Sequence, residues 1–343
     1  MQERMRARRA ASASAAVLAL VLGAAGQALA WGDTGHRIIG ELGIQTLPAE
    51  VPAFLRAPGV AADVGELARE PDRWRGSGKV HDNMRDPGHF VDVDDEGKVL
   101  GGPSLNALPA TRTDYETALR AVGTESGKAG YLPYSIIDGW QQLAKDFAYW
   151  RADVAAVRLE KDPAHKAWLE RDRQRREAQT IQDLGVWAHY VGDASQPLHV
   201  TVHYNGWGQG PNPEGFTLQR IHTPFEGPFV RANVTPEMVH AQMAAPQDCH
   251  CAIEQETSAY LQRTAAQVLP LYRLEKQGGF TGADPRGVAF ATARIAEGAA
   301  ELRDLIVEAW NASATGTVGY PPTPVGQIEA GQAEAYSLLY GDD

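Results

Sequence analysis

Residues 186–199 read Val-Trp-Ala-His-Tyr-Val-Gly-Asp-Ala-Ser-Gln-Pro-Leu-His, and no other run constrains the fold as much. A helix is predicted here, and His189 and Asp193, four residues apart, lie on one face of it. Gly192 weakens the end of that helix and Pro197 cannot continue it. The chain must therefore turn, which brings His199 back towards the same point. Two imidazoles and a carboxylate converging within eleven residues suit zinc. The same residues suit an amphipathic helix with a buried histidine and an N-capping Asp, so the local run leaves both readings open.

Residues 1–30 are expected to lie outside the fold. Arg4, Arg6, Arg8 and Arg9 form a basic head, Ala15 to Ala25 an apolar core, and Ala28-Leu29-Ala30 a small-x-small cleavage site. This is the pattern of a secretory signal, too short in its apolar part to span a membrane. Arg8-Arg9 hints at twin-arginine export, but no hydrophobic pair follows, so the general secretory route is expected. The mature protein would begin at Trp31 and be periplasmic or secreted. The whole chain carries a net charge of −11, and loss of the leader's four arginines and Glu3 leaves −14. A binder that grips nucleic acid through a basic surface does not look like this, so an anionic substrate needs a local cation. Only Cys249 and Cys251 are present. They can close a small ring or, with His250, hold a surface metal; no catalytic role is assigned to them.

Helical signals dominate the remaining chain, which is long enough for one large domain with a buried core. Asp284-Pro285 is a cap followed by a first-turn proline, after which Val288, Ala291, Ile295, Ala299, Leu302, Ile306 and Ala309 step by three and four. A second helix is predicted over about 134–158 and a third over Ile253 to Tyr272, interrupted near Pro270. The charged stretch Glu170 to Glu177 leads into the His189 helix as a solvated face. Phe90-Val91-Asp92-Val93 is the best strand alternation, and residues 204–215 are a loop. From residue 313 onward, Gly, Thr and Pro predict a tail that packs over the domain or hangs loose. The expected division is a leader over 1–30, one all-α domain with long loops over 31–312, and a tail over 313–343.

Further candidate ligands are scattered along this domain. Trp31, once freed, carries an amine and a carbonyl that can bind a metal together, with His36 one turn on. Asp72 and His89 can reach one ion if a loop joins them, and His222 and Glu226 are again four apart. Each pair has a bland reading: Trp31 as a large apolar residue at a helix start, Arg75 as a surface cation. His203, four after His199, is the expected decoy.

Together these residues resemble a family. Trp31-Gly-x-x-Gly-His36, Asp72-x-x-Arg75, His89-Phe-x-Asp92, His189-x-x-x-Asp193, Gln196-Pro-Leu-His199 and His222-x-x-x-Glu226 stand in the order found in S1/P1-type nucleases. Those enzymes share a superfamily with the bacterial zinc-dependent phospholipases C. No single element is decisive; six in order, behind a leader whose removal exposes Trp31, are specific.

The resemblance implies a helical domain of the phospholipase C/P1 nuclease type with three zinc ions in a cleft. By motif, Asp72, His89, His189 and Asp193 would hold one ion. Trp31 and His36 would hold its neighbour, bridged by Asp193, and His199, His222 and Glu226 the third. Two close ions would acidify a shared water to a zinc-bound hydroxide. Arg75 would steady the negative transition state, Asp92 would orient water or a ligand, and Phe90 would stack a base. The expected activity is hydrolysis of single-stranded DNA or RNA to 5′-phosphorylated products by a monomer with no transmembrane segment. Glu226 stands where the nucleases present Asp after Asn-Leu-His, and residues 203–220 differ from their Gly-Gly-Asn segment. Both features put the choice of substrate in doubt, and Glu226, with the acidic surface, leans towards the alternative, a phospholipase C acting on phospholipid. A non-catalytic zinc-binding protein is the third reading; retention of Arg75 and Asp92 argues against it, because storage needs neither.

Overall fold

The computed structural model describes residues 31–208 and 210–341; the leader assigned above lies outside them. Four helices build the core. Helix α1, Gly32–Gln45, buries Ile38, Ile39, Leu42 and Ile44, and the short α2, Val60–Leu67, packs across it. Helices α3, Leu132–Leu159, and α4, Pro163–Asp193, form a long antiparallel hairpin. Their connection is tight because Asp162 accepts the amides of Ala164 and His165 while Pro163 sets the first turn. The charged stretch Glu170 to Glu177 belongs to α4 itself.

Two further helices follow, α5 over Ile253–Ala265 and α6 over Val268–Lys276. The break predicted near Pro270 falls before it, at residues 266–267; Pro270 sits in the first turn of α6, where its missing N–H costs nothing. The long α7, Pro285–Ser313, starts at the predicted cap, where Asp284 accepts the amide of Arg286 at 2.9 Å. Its stripe Ala291, Ile295, Ala299, Leu302, Ile306 and Ala309 is buried against α1, α3 and α4. Among the described residues, no helix is long and apolar enough to cross a membrane.

The strand expected at Phe90–Val93 does not form. Val91 and Val93 each make one isolated bridge, to Gly130 and Val99, in an irregular segment held by the Val91 amide on the carbonyl of His199 at 2.9 Å. The strands lie instead in the C-terminal segment: β1, Thr317–Val318, pairs antiparallel with β2, Thr323–Pro324. Val318, Val325 and Ile328 there close a small second core on Ala148, Ala152 and Ala155 of α3. Arg158 reaches the Glu329 carbonyl at 2.9 Å.

Candidate metal centre

The centre gathers where α1, α4 and two irregular segments meet. His189 and Asp193 occupy one face of the last turn of α4, and both are buried. The helix ends there, and Pro197–His199 forms a 3-10 turn that swings His199 inward, as the proline demands. His36 comes from α1, Asp72 from the short helix Glu70–Arg73, and His89 from the end of the 3-10 turn Asp86–His89.

His222 and Glu226 lie on a continuous run from His222 to Asn233 whose middle, Phe225–Phe229, opens into a π-helical turn around Pro228. A wider turn accommodates a proline that can neither donate nor tolerate the preceding carbonyl. Gly32, at φ 53°, rests on this bulge. A Cβ there would stand 3.2 Å from the Glu226 carbonyl oxygen, so close approach and left-handed backbone both call for glycine.

Three groups of side chains converge, each with its donor atoms within 4.8 Å of one another: His36, His189 and Asp193; Asp72, His89 and His189; His199, His222 and Glu226. These contain all eight ligand side chains named from the sequence. Asp193 joins the first two groups, with Oδ1 3.4 Å from His36 Nε2 and Oδ2 3.2 Å from His89 Nδ1 and 3.3 Å from His189 Nε2.

Backbone carbonyls set the imidazole tautomers. The Nδ1–H of His189 donates to the Ala68 carbonyl at 2.7 Å, and that of His199 to the His89 carbonyl at 2.5 Å. A carbonyl can only accept, so each Nε2 is left as a lone pair pointing into the centre. His189 Nε2 then lies 2.9 Å from His89 Nδ1. His222 Nε2 lies 2.8 Å from Glu226 Oε2 without hydrogen-bond alignment, and Gln196 donates to the same oxygen at 3.1 Å.

The electrostatics of this packing call for a cation. Burial pushes His89 well below its usual range and His189 down to about 4, so both rings stay neutral. Burial lifts Asp193 well above the carboxylate range and Asp72 to about 6, against the opposing pull of nearby imidazoles and Arg75. Burial also raises Glu226, but His222 and His199 outweigh it and hold the group at about 2. Asp72 Oδ1, Asp193 Oδ1, Glu226 Oε1, His199 Nε2 and both ring nitrogens of His222 are buried without a hydrogen-bond partner. Native interiors rarely leave such atoms unmatched. Convergent imidazoles and carboxylates with open lone pairs are the donor set zinc takes, so the residues fit the metal.

Trp31 is fully buried. Its indole donates to Ser195 Oγ at 2.7 Å and its ring lies 5.6 Å from that of Phe225. Its carbonyl accepts the Gly35 amide at 3.2 Å, which leaves one lone pair.

A cleft of about 330 Å³ opens over the centre, lined by Arg75, His89, Phe90, Asp92, Lys128, His199, Tyr204 and His222 among others. Arg75 Nε stands 3.5 Å from both Asp72 and Asp86. Burial raises Asp92 to about 7. His203 is indeed elsewhere: its Nε2 faces Asp95 at 3.0 Å and its ring stacks on Trp207. Three contributors escaped the sequence reading. The Ala68 carbonyl and Lys128 carry no local mark, whereas Gln196 stood inside a quoted motif without a role.

No family model matches the chain, and no curated protein matches it. Among solved structures the chain is similar to a Clostridium perfringens alpha-toxin from an avian strain, with 13% identity over 83% of this chain and 67% of that one, at a TM-score of 0.38. An overlap this loose carries no inference about chemistry.

Proposed function

We propose that this chain is an exported, zinc-dependent phosphodiesterase that acts, as a monomer, on single-stranded DNA or RNA and leaves 5′-phosphorylated products. The observation that supports it is the set of buried, unmatched lone pairs beside a cleft lined by Arg75 and Lys128. Asp72, His89, His189 and Asp193 would hold one zinc. His36 and the freed amine and carbonyl of Trp31 would hold a second, shared through Asp193, and His199, His222 and Glu226 a third. When bound, zinc brings the pKa of water near neutrality and offsets phosphate charge.

The chain's own groups do the rest. Arg75, steadied by Asp72 and Asp86, presents its guanidinium to a phosphate oxygen, and Lys128 adds a second cation. Asp92 holds its proton up to about pH 7 and so exchanges one near neutrality beside the cleft. Phe90 offers a ring to an unstacked base, a contact worth about 1–3 kcal/mol.

A phospholipase C is the second reading, favoured by the short helix Lys79–Arg85 between Arg75 and His89. It buries no residue, and it exposes Val80 (83%) and Met84 (69%), side chains that a lipid surface would cover. The test is to offer zinc-loaded protein beginning at Trp31 single-stranded DNA, RNA and phosphatidylcholine vesicles in parallel. Oligonucleotide cleavage with intact lipid is expected. Diacylglycerol release with intact oligonucleotides moves the assignment to the lipase, and no cleavage of any of the three overturns both.

A further inference from the structure

Cys249 and Cys251 are joined by a disulfide in the loop before α5. Their sulfurs and the carboxylate of Glu256, in the first turn of α5, lie within 4.8 Å of one another, and Cys251 Sγ is 3.6 Å from Glu256 Oε2. His250, one of the alternatives left open by the sequence, takes no part: its ring is 84% exposed and faces Asp248 at 2.9 Å. The Cys249 amide donates to Glu308 at 3.2 Å, which ties the loop to α7.

An independent feature faces the same place. Glu301 of α7 is buried, with one oxygen 2.6 Å from Arg263, and its carboxyl shares a side-chain hydrogen bond with that of Glu256. It lines a pocket of about 270 Å³ together with Cys249, Glu256, Asp304 and Glu308.

We propose that Cys249, Cys251 and Glu256, backed by Glu301, form a second kind of metal site that opens only when the disulfide is reduced. Two thiolates and a carboxylate select a soft or borderline ion, zinc foremost, and Glu301, hydrogen-bonded to Glu256, would hold that carboxylate in place from behind. A small dithiol is the reductant. It passes two electrons to the disulfide and becomes a cyclic disulfide itself, its two thiol protons ending on Cys249 and Cys251. Metal binding then releases those protons to solvent. The disulfide form offers no thiolate and is closed. The site shares no residue with the zinc cluster and does not depend on the proposed hydrolase activity.

The cluster under the cleft holds only nitrogen and oxygen donors, so sulfur-to-metal absorption reports this site alone. Protein already loaded with zinc is divided, one half reduced with dithiothreitol and desalted under argon, and both are titrated with Co²⁺. The reduced half is expected to develop a sulfur-to-cobalt charge-transfer band that saturates at about one ion per chain, and the disulfide half none. Glu256→Gln, with its thiol count unchanged, should bind Co²⁺ about 10-fold more weakly or worse. The double variant Cys249→Ser, Cys251→Ser should show no band and keep its phosphodiester cleavage. Two titratable thiols with no band, or Glu256→Gln binding as tightly as the parent, overturns the proposal.

Discussion

Asp193 and Asp153 sit on the two arms of one helical hairpin, and both are fully buried. Around Asp193, three imidazoles aim at one carboxylate: His36, His89 and His189 all stand within 3.4 Å. Around Asp153 there is no such convergence. Both of its oxygens lack a hydrogen-bond partner, and burial followed by repulsion from Asp172 lifts it to about 8. Its neighbour Asp146 is better served, with Arg176 and Gln142 each at 3.0 Å. A buried acid alone does not mark a site, because it can simply take up a proton. What marks a site is several lone pairs brought to one point, where one proton cannot answer all of them.

The largest effect that can break this contrast belongs to Asp193. Asp193→Asn should abolish binding in the two groups it joins, and cleavage should fall by more than the ~10–100-fold that losing an outer partner costs. Zinc at about 100 times its Kd should stabilise the parent by about 2.7 kcal/mol and the variant by far less; denaturant melts with and without metal read this directly. Next comes the chain terminus. One residue left before Trp31 converts the amine to an amide whose lone pair is delocalised, so zinc content should drop and most activity with it. Trp31→Phe keeps the amine and loses the indole bond to Ser195, about 1 kcal/mol. Equal zinc and equal rate in the extended form would remove Trp31 from the site.

Gln196→Ala should weaken zinc binding by about 10–100-fold, because Glu226 Oε2 loses the donor that fixes it; competition with a chromophoric chelator measures it. Smallest is the change at the other side of the contrast. Asp153 has a folded pKa raised from 3.8 to about 8. Its stabilising contribution is complete below the lower value and lost as pH rises through the higher one. Asp153→Asn should therefore gain about 1–3 kcal/mol above pH ~8 and almost nothing in acid. In chelated protein Asp72, raised to about 6, follows the same sign; added zinc reverses it at Asp72 but leaves Asp153 unchanged. If zinc leaves the Asp72 share unreversed, with stability still falling between pH ~4 and ~6, the two regions are not different in kind.

Much of the centre was legible because its ligands pair at helical spacing. His189 with Asp193 and His222 with Glu226 fall on one face each, and Pro197 announced the turn that returns His199. Helix α7 was legible from its cap and stripe and α3 from its apolar spacing, whereas the start of α4 at Asp162-Pro163 was not read from the sequence. What stayed hidden depends on contacts far apart in sequence. Phe90–Val93 alternates like a strand, yet its neighbours supply only single bridges. The Ala68 carbonyl that orients His189 is a backbone atom 121 residues away. Cys251 meets Glu256 and not His250, because the loop turns the imidazole outward to Asp248.

The most direct test is X-ray scattering at the zinc absorption edge from crystals of zinc-loaded, disulfide-intact protein beginning at Trp31. The account predicts three anomalous peaks: one at His36, Asp193 and the Trp31 terminus, one at Asp72, His89, His189 and Asp193, and one at His199, His222 and Glu226. Peaks absent from these groups, in protein that still cleaves phosphodiesters at its full rate, would contradict it.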